Sequence, residues 1–313
     1  MDNNSKIDDP CCFVTVLMPS AAKRERFHLI KRAVNSIRKS SSNQVKIIVV
    51  ANGNSCDKNV VDWLQLQSDI TYVYDQLPSL ANAVLIARKL VDTPYFSTLD
   101  DDDEYLEGAT DIKLNALHEV SDADMIVTNG YHNKNKYDII MYRNYREASN
   151  DPLKYLFKFN WLNSGNALYK TDRISIDYFE DHFLNIEWTW LAYKIALAKK
   201  KILFLDRTTF RYYDTPMSAS KTVAYMESHM RLYERMLLLN PPQDIATLIR
   251  ERMSMDWHCR SDRALQAGQY GEALTCHLRS LFLPGGLRFL LYSRRLIPFW
   301  PKKKPLNQGG DES

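Results

Sequence analysis

The 313 residues read as an α/β protein: a mostly parallel sheet flanked by helices on both faces, followed by a helical C-terminal appendage. Short runs such as Lys46-Ile47-Ile48-Val49-Val50 are apolar and β-branched without alternation, as strands covered on both faces are. Helix-period stretches separate those runs through the first half, which is the order of repeated β-α-β units. From Ser220 onward only helical patterns remain.

Residues 14–18 form a strand ended by Pro19, and residues 24–39 a helix whose stripe is Phe27, Leu29, Ile30, Ala33, Val34 and Ile37. The strand at 46–50 stops at the turn-forming cluster Ala51-Asn52-Gly53-Asn54. A helix at 60–66, a strand at 71–74, a helix at 80–91 and a strand at 95–99 come next. Another βα step runs through 108–120 into 124–128. The middle is mixed: strands at 138–142 and 167–170, a short helix at 153–159, and late strands at 202–205 and 210–213. A helix at 187–199 is expected to bury Trp188, Leu191, Ile195 and Ala198. Helices at 221–239, 243–267 and 270–281 close the pattern, with Gly268 as a stop between the last two. The expected division is a sheet domain at 1–219 and a helical region at 220–313.

Hydrophobic residues make up 45% of the chain and aromatics 12%, enough for a sizeable core. A net charge of +3 is too small to argue for nucleic acid. Cys11, Cys12, Cys56, Cys259 and Cys276 are odd in number and lack ligand spacing, so free thiols in a reducing compartment are expected. Residues 1–10 hold no apolar h-region, and no stretch of about 18 uncharged apolar residues occurs. The expectation is a soluble or peripheral cytoplasmic protein. Residues 284–305 interleave Leu287, Phe289, Leu290, Leu291, Phe299 and Trp300 with Arg288, Arg294, Arg295 and Lys302-Lys303-Lys304, and carry no acid. That pattern suits an anionic membrane surface on the inner face of the cell membrane, where each basic residue contributes roughly 1 kcal/mol.

The run Leu99-Asp100-Asp101-Asp102-Asp103-Glu104-Tyr105 follows a buried strand. Consecutive carboxylates there repel one another, so something cationic should offset them. A divalent metal, Mn2+ or Mg2+, prefers such oxygens, and with open positions it can bind a diphosphate. Ligands of parallel sheets sit outside the carboxyl ends of the strands. Pro19-Ser20, Ala51-Asn52-Gly53 and residues 100–104 are three such ends, expected to converge on one crevice. No GxGxxG and no GxxxxGK occurs, so backbone alone is not expected to cradle phosphates.

Residues 14–37, the run Ile47 to Gly53 and residues 95–105 together resemble the family 2 glycosyltransferases of the bacterial polysaccharide and lipopolysaccharide type. That resemblance implies a GT-A fold with a Rossmann-like nucleotide-binding half. It extends more weakly through Trp161-Leu162-Asn163-Ser164-Gly165-Asn166 and Glu187-Trp188 to about Ser220. Asp100 and Asp102 take the acidic positions of the DXD motif: Asp102 as direct metal ligand, Asp100 toward the ribose or a metal-bound water. Asp101 would meet the nucleotide, Pro19 would shape the loop below the base, and Asn52 takes the position that reads the base edge. Here Ala51-Asn52 replaces the family's Asp-Asp pair, and Asn donates as well as accepts. Val84 and Leu85 stand where the family often has Arg-Asn, and Arg88 reads as a surface residue. Glu187 takes the second position of an acidic pair whose first member is Ile186, at a helix start that Asn185 could cap. The implied role of Glu187 is general base, with Asp181 as backup. Tyr212, Tyr213 and the loop 214–218 fall where such enzymes often carry a lid.

The expected chemistry is metal-dependent, inverting transfer of a sugar from a nucleotide-diphosphate donor to the hydroxyl of a glycan or lipid-linked acceptor, in surface glycan synthesis. Asn163, Ser164 and Trp188 are candidates for holding the acceptor or diphosphate. The alternative is a catalytically inactive GT-A-like scaffold that binds nucleotide or membrane. An Asp-nucleophile phosphatase is disfavoured because the motif ends a late strand and Glu104 stands where Thr or Val is wanted. Nucleotidyl transfer wants a Gly-rich basic loop, and Ala21-Ala22-Lys23-Arg24-Glu25-Arg26 has the charge without the glycines.

Overall fold

The computed structural model describes residues 13–181, 183, 186–214 and 223–296. Expectations placed on Cys11, Cys12, Asn185, the loop 215–218 and the tail beyond 296 lie outside those residues. Two compact units divide the chain, Met1–Ser228 and His229–Ser313.

In the first unit the opening half alternates as the sequence predicts. It runs β1 (Val14–Ser20), α1 (Phe27–Lys39), β2 (Lys46–Asn52), α2 (Lys58–Gln65), β3 (Ile70–Asp75), α3 (Leu80–Lys89) and β4 (Tyr95–Thr98). Parallel pairs β3–β2, β2–β1 and β1–β4 form this half of the sheet. Every residue of β1 is buried, as a central strand requires. β1 continues past Met18 to Ser20, with Pro19 opposite Val50. Pro19 is tolerated there because the β4 ladder has already stopped at Leu17 opposite Thr98. The α1 stripe of Ile30, Ala33, Val34 and Ile37 packs into the main core.

The second half of the unit adds β5 (Glu104–Tyr105), α4 (Ala109–Glu119), β6 (Met125–Lys134), β7 (Tyr137–Ile140), α5 (Tyr145–Asn150) and α6 (Pro152–Tyr155). It finishes with β8 (Ala167–Lys170), α7 (Asp177–Glu180), α8 (Glu187–Leu197) and β9 (Ile202–Tyr213). The strand order is β3-β2-β1-β4-β8-β6-β9-β5, with β7 on β6. β8 runs antiparallel to both β4 and β6, whereas β9 is parallel to β6, so the sheet is mixed beyond β4.

Three further sequence expectations change. The late strands are one: β9 runs unbroken through the polar stretch Asp206-Arg207-Thr208-Thr209, with register shifts against Thr128, Asn129 and Gly130 of β6. Those irregularities absorb residues that a regular ladder would not. Trp188 is half-buried rather than core, because α8 turns Trp190, Leu191, Tyr193 and Ile195 inward, with Trp190 Nε1 donating to the Asp181 carbonyl at 2.8 Å. Arg88 is buried, not on the surface. Its Nη2 donates to the carbonyls of Thr171 (2.9 Å) and Ile174 (3.0 Å), and its guanidinium lies 4.4 Å from the Phe96 ring centroid. Carbonyls of the turn that follows β8 thus find their donor on α3.

α9 (Val223–Leu238) leads to the second unit, which holds α10 (Gln243–Gln266), α11 (Tyr270–Leu281), a 3₁₀ turn at Gly286–Tyr292 and α12 (Ser293–Leu296). Gly268, with φ of +74°, breaks α10 from α11 as expected. Ser254 Oγ donates to Ser280 O at 2.8 Å and Ser261 Oγ to Ala273 O at 2.7 Å, so small hydroxyls let the two helices approach closely.

Candidate active site

The acidic run emerges from β4 and falls into two overlapping groups that share Asp102. One group meets cations of the chain itself. Arg26, on the 3₁₀ turn after β1, pairs with Asp101 and reaches Asp102 Oδ2 at 3.1 Å, and the Ser20 hydroxyl also donates to Asp101. Although burial works against it, Arg26 is held well above its ordinary pKa by Asp101 and Asp102, so it remains a cation. Arg32 of α1 donates to the Asp102 carbonyl, lies 3.6 Å from Glu104 Oε2 and stacks 3.7 Å from the Tyr213 ring centroid. Arg211 of β9 pairs with Glu104 and with Asp138 at 2.7 Å. Nothing in the sequence pairs these arginines with the run; the basic stretch 23–26 is the one signal, for the first of them.

Asp100, Asp102 and Asp103 form the second group, with one carboxylate oxygen from each lying within 4.8 Å of the others. Asp100 Oδ1 is buried without a hydrogen-bond partner. Burial first, then the charge of Asp102, pushes Asp100 up to about 7. Asp103, fully buried, is raised well above the usual carboxylate range by burial and by Asp100 and Asp102, although it accepts the Tyr213 N–H at 3.0 Å. Three crowded carboxylates, one oxygen unsatisfied, fit a hard divalent cation that would hold them ionised.

Ser164 is brought to this cluster. The loop carrying it is fastened on both sides: Gly165 N–H donates to Thr98 O at 2.8 Å, and buried Lys113 Nζ donates to Gly165 O at 2.7 Å. Gly165 has φ of +86°, and a Cβ there would meet Leu99 Cδ1 at 3.1 Å and Phe210 Cδ2 at 3.2 Å, so glycine is required. The Ser164 hydroxyl faces Asp100 and favours its ionised form, but lies outside hydrogen-bond geometry and is itself buried without a partner. Asn163 is committed elsewhere, its amide donating to the Tyr142 hydroxyl.

Glu187 opens α8 behind Ile186 and shares a pocket with Trp188, Ala81, Val84, Tyr178 and Phe179. Burial in that mostly apolar setting pushes Glu187 up to about 7, and its charge is felt at Asp100. Asp181 lines the same pocket. Asn52 ends β2 one strand from β1, with Nδ2 donating to Ser79 O at 3.3 Å. Asp75 of β3 stands beside it in register, an acid the sequence reading had not singled out. The structure therefore groups Asp100, Asp102 and Asp103 with Ser164 beside Asp100, places Glu187 in the pocket with Asp181 and Trp188 from where its charge reaches Asp100, leaves Asp101 turned toward Arg26, and keeps Pro19 buried within β1.

The family model for glycosyl transferase family 2 matches residues 15–183, over half of the chain. Among solved structures, S. aureus TarS 1–349 in complex with UDP-GlcNAc is similar with a TM-score of 0.61 at 12% identity, covering 86% of this chain and 81% of that one. The same protein with UDP gives a TM-score of 0.57 at 13% identity over 90% and 86%, and without ligand 0.56 at 12% over 91% and 87%. No curated protein matches the sequence. At these identities the structural likeness concerns the fold, an α/β GT-A sheet flanked by helices. With that fold and the match over residues 15–183, the chain belongs to glycosyl transferase family 2 and is a glycosyltransferase.

Proposed function

We propose that this glycosyltransferase moves a sugar from a nucleoside-diphosphate donor to an acceptor hydroxyl, with inversion, in the assembly of a surface glycan. The observation that carries the reading is the convergence of Asp100, Asp102 and Asp103, with Asp100 within electrostatic reach of Glu187. Asp102 and Asp100 hold a divalent metal, Mn2+ or Mg2+, with Asp103 as a third carboxylate. When bound, that metal supplies positive charge to a leaving diphosphate. Pro19 and Asn52 border the nucleoside at the ends of β1 and β2, and Asp101, held by Arg26 and Ser20 just beyond β1, meets the nucleotide beside them. Ser164, with Asn163 and Trp188 more distant candidates, holds diphosphate or acceptor. Glu187 takes the proton of the acceptor hydroxyl as its oxygen attacks the anomeric carbon and the nucleoside diphosphate leaves from the opposite face. A single displacement of this kind inverts that carbon.

The transfer chemistry is assigned to residues 1–219, with 220–313 as an appendage. Among the described residues no helix is long and apolar enough to cross a membrane. The basic aromatic segment 284–305 is proposed to meet an anionic membrane surface at the cytoplasmic face, near a lipid-linked or glycan acceptor.

Thermal shift against nucleoside diphosphates, with and without manganese, tests the reading. Stabilisation by one diphosphate that requires metal and disappears in Asp102→Ala supports it; indifference to every nucleotide favours an inactive scaffold.

A further inference from the structure

We infer that the outward face of α11, continued by the 3₁₀ turn Gly286–Tyr292, is a docking surface for an anionic lipid bilayer. The inference rests on the membrane reading of the C-terminal segment and moves the contact toward its start. Tyr270, Leu274, Leu278 and Phe282 recur every four residues and are all exposed, Phe282 by 87%. Such spacing places them on one side of the helix, while Ala273, Cys276, His277 and Ser280 face inward.

The chain then doubles back. At Gly286 a Cβ would come within 2.0 Å of the Ser280 carbonyl oxygen and 2.9 Å of Leu281 Cα, so the 3₁₀ turn lies directly on the last turn of α11. Phe289 turns inward to stack on His258 at 3.9 Å, and the Tyr292 hydroxyl donates to Asp262 at 2.9 Å. Leu287, Leu290 and Leu291 are left outward, the first and last 75% and 70% exposed. Seven large apolar side chains in 22 residues of one hairpin exceed the single exposed leucines that a soluble surface ordinarily carries.

Charge selects the occupant. Arg279, Arg288, Arg294 and Arg295 are exposed along the same stretch, and Arg295 is matched in part by Asp262 at 3.1 Å. The one acid between 270 and 296 is Glu272, which is paired with Arg260 at 3.0 Å. A second copy seated on this face through a two-fold axis would bring the same arginines together. A bilayer accepts the apolar groups at its acyl boundary and offers phosphates to the guanidiniums.

The test is flotation of the full chain with phosphatidylcholine vesicles, with or without phosphatidylglycerol. Three proteins are compared: wild type, the double variant Leu274→Asp with Leu278→Asp, and a chain ending at 296. The wild type should float with anionic vesicles and release in high salt. The double variant should lose at least about tenfold in vesicle affinity, while the shortened chain keeps measurable binding. Unchanged melting temperature and nucleotide-dependent thermal shift in the double variant show that its fold and the transferase reading stand apart from this result. Flotation of the double variant like wild type, or loss of flotation in the shortened chain alone, overturns the inference and leaves the tail as the contact. Failure of the wild type to float overturns both membrane readings, and loss of a dimer in the double variant then assigns the face to a second copy.

Discussion

Glu187 and Asp100 are both lifted to about 7, first by burial, yet they are asked to do different things. A general base must be ionised, so transfer should rise with pH through about 7 and level off above it. With manganese saturating across the pH range, Glu187→Gln should lower kcat by roughly 10²- to 10⁴-fold, leave the Kd for the donor diphosphate unchanged and remove that rising limb. Weakened donor binding in the variant would instead take Glu187 out of the base role. Arg26 is judged by a different measurement. Its loss in Arg26→Ala leaves Asp101 buried without its cation, and urea unfolding should show a cost of about 1–3 kcal/mol, discounted because Arg26 is partly solvated. The acidic run was legible in the sequence because like charges in a row demand compensation. The cations were not, since Arg26 lies 75 residues and Arg211 107 residues from their partners. The sequence showed a debt of charge without showing that part of it is met inside the chain. Glu187 was legible through the resemblance; the apolar pocket that shifts its pKa is assembled from α3, α7 and α8 and is visible in none of them alone.

Elements buried on both faces or along one stripe were readable: β1, β2, β4 and α1 each announce themselves by an uninterrupted or 3.6-period apolar pattern. β9 was not, because β6 pairs it on either side of a register shift at Asp206 and Arg207 and β5 pairs it only from Phe210 on, so its polar centre joins two paired stretches where apolar periodicity gives no signal. The inward face of α8 is half legible: Leu191 and Ile195 are buried as their spacing predicts, whereas Ala198 is exposed and Trp190 rather than Trp188 turns inward, its Nε1 donating to the Asp181 carbonyl. Arg88 shows the converse, a cation that helix position alone assigns to solvent but that the carbonyls of Thr171 and Ile174, in the turn after β8, draw inward. Arg88→Leu should therefore lower stability by about 1–3 kcal/mol, since the buried Ile174 carbonyl and the part-buried Thr171 carbonyl lose their donor. A shift of the urea midpoint with unchanged m-value checks it, and a change within about 0.5 kcal/mol would show that water replaces the guanidinium.

For the whole molecule, the site couples folding to pH and to metal. Metal-free, Asp100 and Glu187 keep protons to about 7 and Asp103 to well above the ordinary range, whereas in the unfolded chain these carboxyls ionise near 4. Between those values the folded state binds more protons than the unfolded one, so these groups make stability fall as pH rises. Asp69, Asp92 and Asp138 have lowered pKa values, and their stabilisation is already complete above about 4. His258 and His277, lowered first by burial, tilt the curve the other way below about 6.5. The metal-free melting curve alone therefore mixes opposing slopes. The manganese-induced gain does not, because the histidines contribute equally with and without metal. Binding must displace the protons on Asp100 and Asp103, so the rise in Tm on adding manganese should be small near pH 5.5 and grow toward pH 8. In Asp102→Ala the rise should vanish at both ends of that range. A gain independent of pH, or one that survives Asp102→Ala, would place the cation somewhere other than the Asp100, Asp102 and Asp103 cluster.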